Sequence, residues 1–553
     1  MNLQQHWRGR TRYTVFDSAY GDGAGVAGLI AAWRADPERP RTLHVVALAD
    51  GLMPGFHRIL QPEPGLTLDL LAAPLDAALG QLSASLDWIR LHAPAMPGAA
   101  FARPLARITA LAARLEASAL DEEQRASLRA QGFVFEGEGP HAVFASRKPR
   151  LPVAPTPERR ALVIGAGLAG SAAAQRLCAR GWQVTLLERH PGPAMEASGN
   201  LAGIFMPLLS RDDNIPTRLT RAAYLYALRL WEQLGGVGAA IEGQRCGVLQ
   251  LARDAGHAAV SRAIAQEGAP PAEFARWLEA PEASSLLGLP APDGGWLFPQ
   301  GGWARPGSVC ETMLAACGER LTRRFGVGEV ALERAEGEWL ARGADGAELG
   351  RAPSVVLANG AGALRMVQAA RLPLSVLRGQ VTHLDAAQAP SLPLVLCREA
   401  YLTPAAGGVV CAGATYDLDP DPQLRAASQE ENLARMRALV SDPQAASGAP
   451  LAGRVGFRCV APDRLPLVGR LPDFAAAGGT ERLRDVPRHP GLHALLGYAS
   501  RGLIWAPLAA ELLAAQLEGE PLPLETSLVD ALDPARFVLR ARRSGRAPQV
   551  LDD

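Results

Sequence analysis

Lysine is all but missing: Lys148 is the only one in 553 residues, so nearly the whole basic complement is arginine. No other lysine is available to form a Schiff base, and Lys148 sits in the proline-rich run SRKPRLPVAP, so pyridoxal-type covalent chemistry is not expected. An excess of either charge is missing too. Fifty-six basic side chains meet fifty-six acidic ones, which removes any bulk-charge argument for nucleic-acid binding while leaving a local patch open. The seven cysteines (178, 246, 310, 317, 397, 411 and 459) form no C-x-x-C pair and no Cys/His cluster, which argues for a reduced compartment and against a structural metal. The ten histidines show no H-E-x-x-H spacing, and the absence of a G-x-S-x-G elbow leaves no case for a hydrolase. The start, MNLQQHWRGR, has no apolar h-region, and the longest apolar stretch, LIWAPLAAELLAAQL from Leu503, is broken by Glu511 and too short to span a bilayer. A soluble cytoplasmic protein without membrane or metal partners is expected.

What is present is an ordinary globular composition, 48% apolar and 20% charged, with length for about three folding units. Four prolines between Lys148 and Arg160 mark an extended linker. The expected organisation is therefore a front domain over 1–147, a linker over 148–160 and a large domain over 161–553, the last built as two interleaved subdomains.

Directly after the linker comes ALVIGAGLAGSAAAQRLCARGWQVTLLERH. A short strand runs into Gly165, Gly167 and Gly170, spaced G-x-G-x-x-G; a helix follows from Leu168 to Arg180, then a strand ending in Glu188. The first glycine allows a tight turn, the second lets backbone touch a pyrophosphate, and the third lets helix and strand pack. The helix N-terminus supplies free N–H groups and positive dipole, and Glu188 is placed to accept from a ribose diol. This spacing predicts a dinucleotide site. A late strand, Ser354 to Leu357, closed by Ala358-Asn359-Gly360-Ala361, and the segment GYASRGL from Gly497 add C-terminal chain to the fold. Such completion suits an extended flavin, whose ring must be covered from elsewhere in the chain.

Further segments carry a resemblance: ASGNLAG from Ala197, FPQGGW from Phe298, LRGQ from Leu377, GATYD from Gly413, GFRC from Gly456 with DRLP from Asp463, and SRGL from Ser500. From about 160 to 543 the chain resembles the glycine-oxidase/D-amino-acid-oxidase group of FAD-dependent oxidoreductases. Within that group it is similar to the oxidoreductase half of the bifunctional family that makes 5-methylaminomethyl-2-thiouridine in tRNA. The resemblance implies FAD as cofactor, tRNA as partner and 5-carboxymethylaminomethyl-uridine at the wobble position as substrate. The N–CH2 group would be oxidised to an imine and hydrolysed to aminomethyl-uridine and glyoxylate, with oxygen reoxidising the flavin. Flavin contacts fall on Gly165, Gly167, Gly170, Glu188, Ser198, Asn200, Gly360 and Gly502. Arg458 and Arg501 match positions near the substrate carboxylate, where a guanidinium clamps bidentately, and Tyr416 offers a hydroxyl contact. His383, in QVTHLDA, alternates along a strand-like segment and reads as structural.

The front segment, RYTVFDSAYGDGAGVAGLIAAW, shows a strand, a glycine loop (Gly21, Gly23, Gly25) and a helix, similar to the S-adenosylmethionine loop of the same family's methyltransferase half. It departs from the pattern in three places. Only about a dozen residues precede the first strand; Ala49 stands where an acid is expected to hold the cofactor ribose, with Asp50 next door; and the family's D-G-F-A-P reads Arg90-Leu91-His92-Ala93-Pro94. An arginine thus inverts the charge where an amine would bind. Three readings stay open: a working methyltransferase using S-adenosylmethionine, a noncatalytic scaffold that packs on the oxidase and helps dock tRNA, or an unrelated fold. The expected fold class is α/β: a FAD-binding Rossmann-type domain with an interleaved antiparallel-sheet substrate domain, preceded by a truncated Rossmann-like methyltransferase-type domain.

Bulk neutrality means that tRNA phosphates must be met locally, and the tail from Arg536 through Arg540, Arg542, Arg543 and Arg546 is the candidate. Rival readings are a free glycine or sarcosine oxidase and a flavoprotein that binds without turnover.

Overall fold

A computed structural model describes residues 4–92, 98–147, 154–268, 270–448, 450–476 and 480–544, with side chains from 6 to 541 within these spans. The chain divides into two compact units, Met1–Glu158 with Glu511–Ala531, and Arg159–Ala510 with Leu532–Asp553. Among the described residues no helix is long and apolar enough to cross a membrane.

The first unit is built on an eight-stranded sheet. Its order is Gly55–Leu60, Leu66–Ala72, Thr42–Leu48, Arg12–Asp17, Leu86–Leu91, Thr109–Ala117, His141–Phe144 and Phe133–Phe135. The five strands from Leu66–Ala72 to Thr109–Ala117 are parallel to their neighbours, and the other three are antiparallel. Alternate residues of the central strands enter opposite cores: Tyr13, Val15, Leu43 and Val45 pack with Trp33, whereas Phe16, Val46 and Ile89 pack with Leu79 and Leu105. Both faces are thus covered, as a parallel sheet requires. The doubly wound front unit removes the unrelated-fold reading.

One part of this unit comes from far along the chain. Glu511, fully buried, accepts from Arg58 Nη1 at 2.8 Å, while Asp69 receives Arg58 Nε and Nη2 at 2.8 and 2.7 Å. Arg12 donates to the Glu518 and Gly519 carbonyls, and Thr526 Oγ1 to that of Gln81. These polar contacts join 511–531 to the rest of this unit, and sequence spacing does not reveal them.

The second unit opens with Arg160–Ile164 at the heart of a six-stranded sheet ordered Leu321–Phe325, Gln183–Glu188, Arg160–Ile164, Ser354–Leu357, Arg488–Leu496 and Leu467–Pro472. All pairings are parallel except the last. The chain leaves Arg160–Ile164 toward Gln183–Glu188 on one side, and Ser354–Leu357 joins it on the other. A crevice therefore opens at the carboxyl ends of those two strands. The helix after the glycine loop runs Leu168–Cys178, two residues shorter than its sequence pattern suggests. A second, eight-stranded sheet includes Ser375–Asp385 and Ala452–Val460 at one end; it is antiparallel apart from the pair Val248–Leu251 and Val395–Cys397. The helix Ala426–Val440 packs Leu433 and Met436 against its core.

Candidate active site

The glycine loop lies where the parallel sheet opens. Gly165 has φ +101°, and a Cβ there would stand 2.8 Å from the Ala358 carbonyl oxygen, so the Arg160–Ile164 and Ser354–Leu357 strand ends meet backbone to backbone. A Cβ on Gly170 would collide with the carbonyl of Gly165, which is why helix and strand pack only through glycine. Gly167 is the residue that opens the helix; Leu168 N–H donates to Ser198 Oγ at 3.1 Å, which ties the ASGN loop to the helix start. Arg454 holds the same loop from the other sheet, donating to the Met195 and Glu196 carbonyls at 2.8 and 2.6 Å and to Asn200 Oδ1 at 3.4 Å.

Glu188 ends its strand with both oxygens on backbone, accepting from Ala166 N–H at 2.7 Å and His190 N–H at 2.9 Å. Each carboxylate oxygen keeps a second lone pair for a diol. Gly165, Gly167, Glu188, Ser198, Asn200, Gly360 and Gly502 all border one cavity of about 670 Å³; Gly170 does not, and acts through packing alone. In the same wall Asn359 Oδ1 and Tyr498 Oη are buried with no hydrogen-bond partner among the described residues. Burial pushes the Tyr498 phenol above its ordinary range, so it stays an O–H donor at neutral pH. A glycine-built helix start, an acid at the second strand's end and two orphaned polar atoms fit an extended dinucleotide.

The same cavity is also lined by arginines. Arg458, on the strand Ala452–Val460, donates to the Thr415 carbonyl at 3.1 Å and lies with its guanidinium carbon 4.4 Å from the centre of the Tyr416 ring. Arg501, just before the helix that opens at Gly502, donates to the Met206 carbonyl at 3.5 Å. Neither has an ion-pair partner among the described residues. Burial pulls the Arg501 guanidinium below its ordinary range, the direction that an entering anion would reverse. Tyr416 stands on a loop rather than a strand, 55% exposed at the cavity.

The R-G-Q segment, Arg378-Gly379-Gln380, organises the chain beside the cavity. Arg378, fully buried, donates to the Asp421 and Gln423 carbonyls and to Gln380 Oε1, and Gln380 spans to both Arg425 N–H and Arg425 carbonyl. These two side chains fasten the 417–425 loop. Gly379 lies under Arg458: a Cβ there would fall 2.5 Å from the guanidinium carbon. His383 sits half-buried on the strand Ser375–Asp385, away from the cavity, its pKa lowered by burial and then by Arg454.

Two arginines of the basic tail have structural partners. Arg536 is buried and bidentate on Asp463, at 2.9 Å from each carboxylate oxygen, and Arg540 reaches the same carboxylate at 2.6 Å. Both charges are answered within the unit, because the tail helix needs an anchor; the side chains of Arg542, Arg543 and Arg546, and Lys148 of the linker, lie outside the described residues.

In the first unit, Asp17 is buried where its strand ends, beside the point at which the sheet order reverses. It pairs with Arg90 at 3.0 Å, and His92 Nε2 lies 3.1 Å away. The Arg90 guanidinium also faces the Trp88 ring at 5.5 Å. Ala93 and Pro94 lie outside the described residues.

The cavity, its glycine loop and the strand order define a flavin-dependent oxidoreductase. Residues 160–516 match the family described as "FAD dependent oxidoreductase", and the chain belongs to it and binds FAD. An iminodiacetate oxidase from Chelativorans sp. BNC1 superposes with a TM-score of 0.54 at 27% identity, over 66% of this chain and 96% of that one. A glycine oxidase from Geobacillus kaustophilus gives 0.55 at 21% identity over 68% and 99%, a likeness of fold.

Over nearly its whole length the chain is also 41% identical to the tRNA 5-methylaminomethyl-2-thiouridine biosynthesis bifunctional protein MnmC of Azoarcus sp. strain BH72, covering 98% of this chain and 93% of that protein. The corresponding protein of Burkholderia thailandensis is 40% identical over 99% and 93%. The chain belongs to this bifunctional family.

Proposed function

We propose that the second unit removes the carboxymethyl arm from 5-carboxymethylaminomethyl-uridine, with or without the 2-thio group, at the wobble position of tRNA, leaving the aminomethyl form. The observation that carries this is the pair Arg458 and Arg501, two guanidinium groups without anionic partners among the described residues, on the wall of the cavity that begins at the glycine loop. Family membership supplies the tRNA, and the iminodiacetate oxidase, named for a secondary amine with an N-carboxymethyl group, supports the bond that is oxidised.

Gly165, Gly167, Glu188, Ser198, Asn200, Gly360 and Gly502 would hold the FAD, with Gly170 keeping the helix against the strand. Bound FAD supplies two-electron oxidation of the N–CH2 carbon. Arg458 and Arg501 hold the substrate carboxylate through charge-assisted hydrogen bonds and so fix which C–H is presented. The Tyr416 ring lies against the Arg458 guanidinium on the same cavity wall. The amine nitrogen gives up its proton as the C=N bond forms. Water then adds to that carbon, the C–N bond breaks, and glyoxylate departs from aminomethyl-uridine.

Nucleoside mass spectrometry of tRNA from a deletion strain tests the reading. The carboxymethylaminomethyl nucleoside should accumulate and disappear on complementation; a normal nucleoside profile would refute the assignment. A free glycine or sarcosine oxidase would show that normal profile and turn over the amino acid.

For the first unit the Arg90–Asp17 pair favours a noncatalytic scaffold over a methyltransferase. The cation occupies the place where an amine needs a carboxylate, and it neutralises the acid at the strand end. Titration calorimetry with S-adenosylmethionine decides: no heat supports the scaffold, and saturable binding restores the methylation step.

A further inference from the structure

Resting on that substrate assignment, we infer that the ring of Tyr416 is the platform on which the wobble uracil stacks, and so the residue that distinguishes a tRNA-borne amine from a free one. One face of the ring is fixed, because Arg458 lies 4.4 Å from its centre. The residue is nonetheless 55% exposed while it lines the cavity. Leu418, two residues on, is 68% exposed, and Pro420 borders the same cavity, so the stretch after the ring contributes apolar side chains.

The same stretch also carries three acids, and each is paired. Arg378 pairs with Asp417 at 3.3 Å, and Arg425 pairs with Asp419 and Asp421 at 2.6 and 2.9 Å. A polyanionic substrate therefore meets no unpaired carboxylate among these three. The lengths agree as well. Four bonds of about 1.5 Å separate the uracil ring from the carboxylate carbon, so a carboxylate on Arg458 leaves the base within reach of the ring that covers that guanidinium. A base whose side arm enters a cavity must leave its neighbours' stack, and an aromatic face is the usual replacement.

The test compares wild type, Tyr416→Phe and Tyr416→Leu as FAD-loaded full-length enzymes. The substrate is tRNA carrying carboxymethylaminomethyl-uridine, and the competitor is iminodiacetate, which has the N-carboxymethyl arm without a base. Tyr416→Leu should raise KM for the tRNA by about ten- to a hundred-fold, as loss of one base–aromatic stack does, with kcat little changed. Tyr416→Phe should keep the wild-type KM, and the iminodiacetate inhibition constant should move by less than about three-fold, since it makes no stack. Equal losses for tRNA and iminodiacetate would overturn the proposal, showing that the ring only steadies Arg458. A Tyr416→Phe enzyme as impaired as Tyr416→Leu would overturn it in favour of the hydroxyl. A wild-type enzyme inert toward this tRNA would remove the substrate assignment itself.

Discussion

The guanidinium of Arg458 lies across the bare α-carbon of Gly379. Strand register brings them together: Leu377 is opposite Arg458 and Gly379 opposite Gly456, so Gly379 is the diagonal neighbour on the face that Arg458 covers. A methyl group there would displace the end of a flexible side chain and leave the backbone as it is. Gly379→Ala should therefore fold, stay yellow and lose substrate affinity by about ten-fold or more, the worth of a charge-assisted hydrogen bond. Steady-state KM against kcat checks this; unchanged KM would show that Arg458 does not need its seat.

Arg501 has a single long hydrogen bond and no anionic partner among the described residues. Arg501→Met should keep flavin absorbance and melting temperature while slowing flavin reduction by about a hundred-fold. Lysine should not rescue it, because a point charge cannot reproduce the planar fork. Stopped-flow reduction under anaerobic conditions is the measurement.

Asp463 anchors the tail helix. Burial raises its pKa, but the bidentate Arg536, a hydrogen bond from Leu465 N–H and the charge of Arg540 outweigh that and leave it below the usual carboxylate range. The folded-state pKa lies below the unfolded one, so the stabilisation is present at neutral pH down to the ordinary carboxylate value and fades as pH falls through the depressed one. Wild type should exceed Asp463→Asn by about 1.5–3 kcal/mol at pH 7. Denaturant titrations below pH 4 should show that gap shrinking; a gap independent of pH would contradict the ion pair.

In the first unit Arg58 serves Asp69 at 2.7 Å, Glu511 at 2.8 Å and Glu520 at 4.0 Å, all deeply buried. Arg58→Ala would remove the cation that three buried carboxylates share and should cost about 3–5 kcal/mol. Hydrogen exchange should show the loss concentrated in this unit, including 511–531.

Sequence showed most plainly what short-range geometry dictates. Gly165, Gly167 and Gly170 act within one turn, and Glu188 ends the next strand, so spacing alone located them. Arg458 and Arg501 were reached through resemblance, since among so many arginines nothing local marks those two. The roles of Gly379 and Arg454 depend on cross-strand register and on a loop more than 250 residues away in the chain. The place of 511–531 in the first unit depends on buried ion pairs that no hydrophobic pattern encodes.

The central claim is that the cavity oxidises an N-carboxymethyl amine borne on tRNA. Anaerobic mixing of the FAD-loaded enzyme with tRNA from the deletion strain measures it most directly. The flavin's visible band should bleach, glyoxylate and aminomethyl-uridine should appear in equal amounts, and excess glycine should leave the band unchanged. Bleaching by glycine with none by the tRNA would contradict the account.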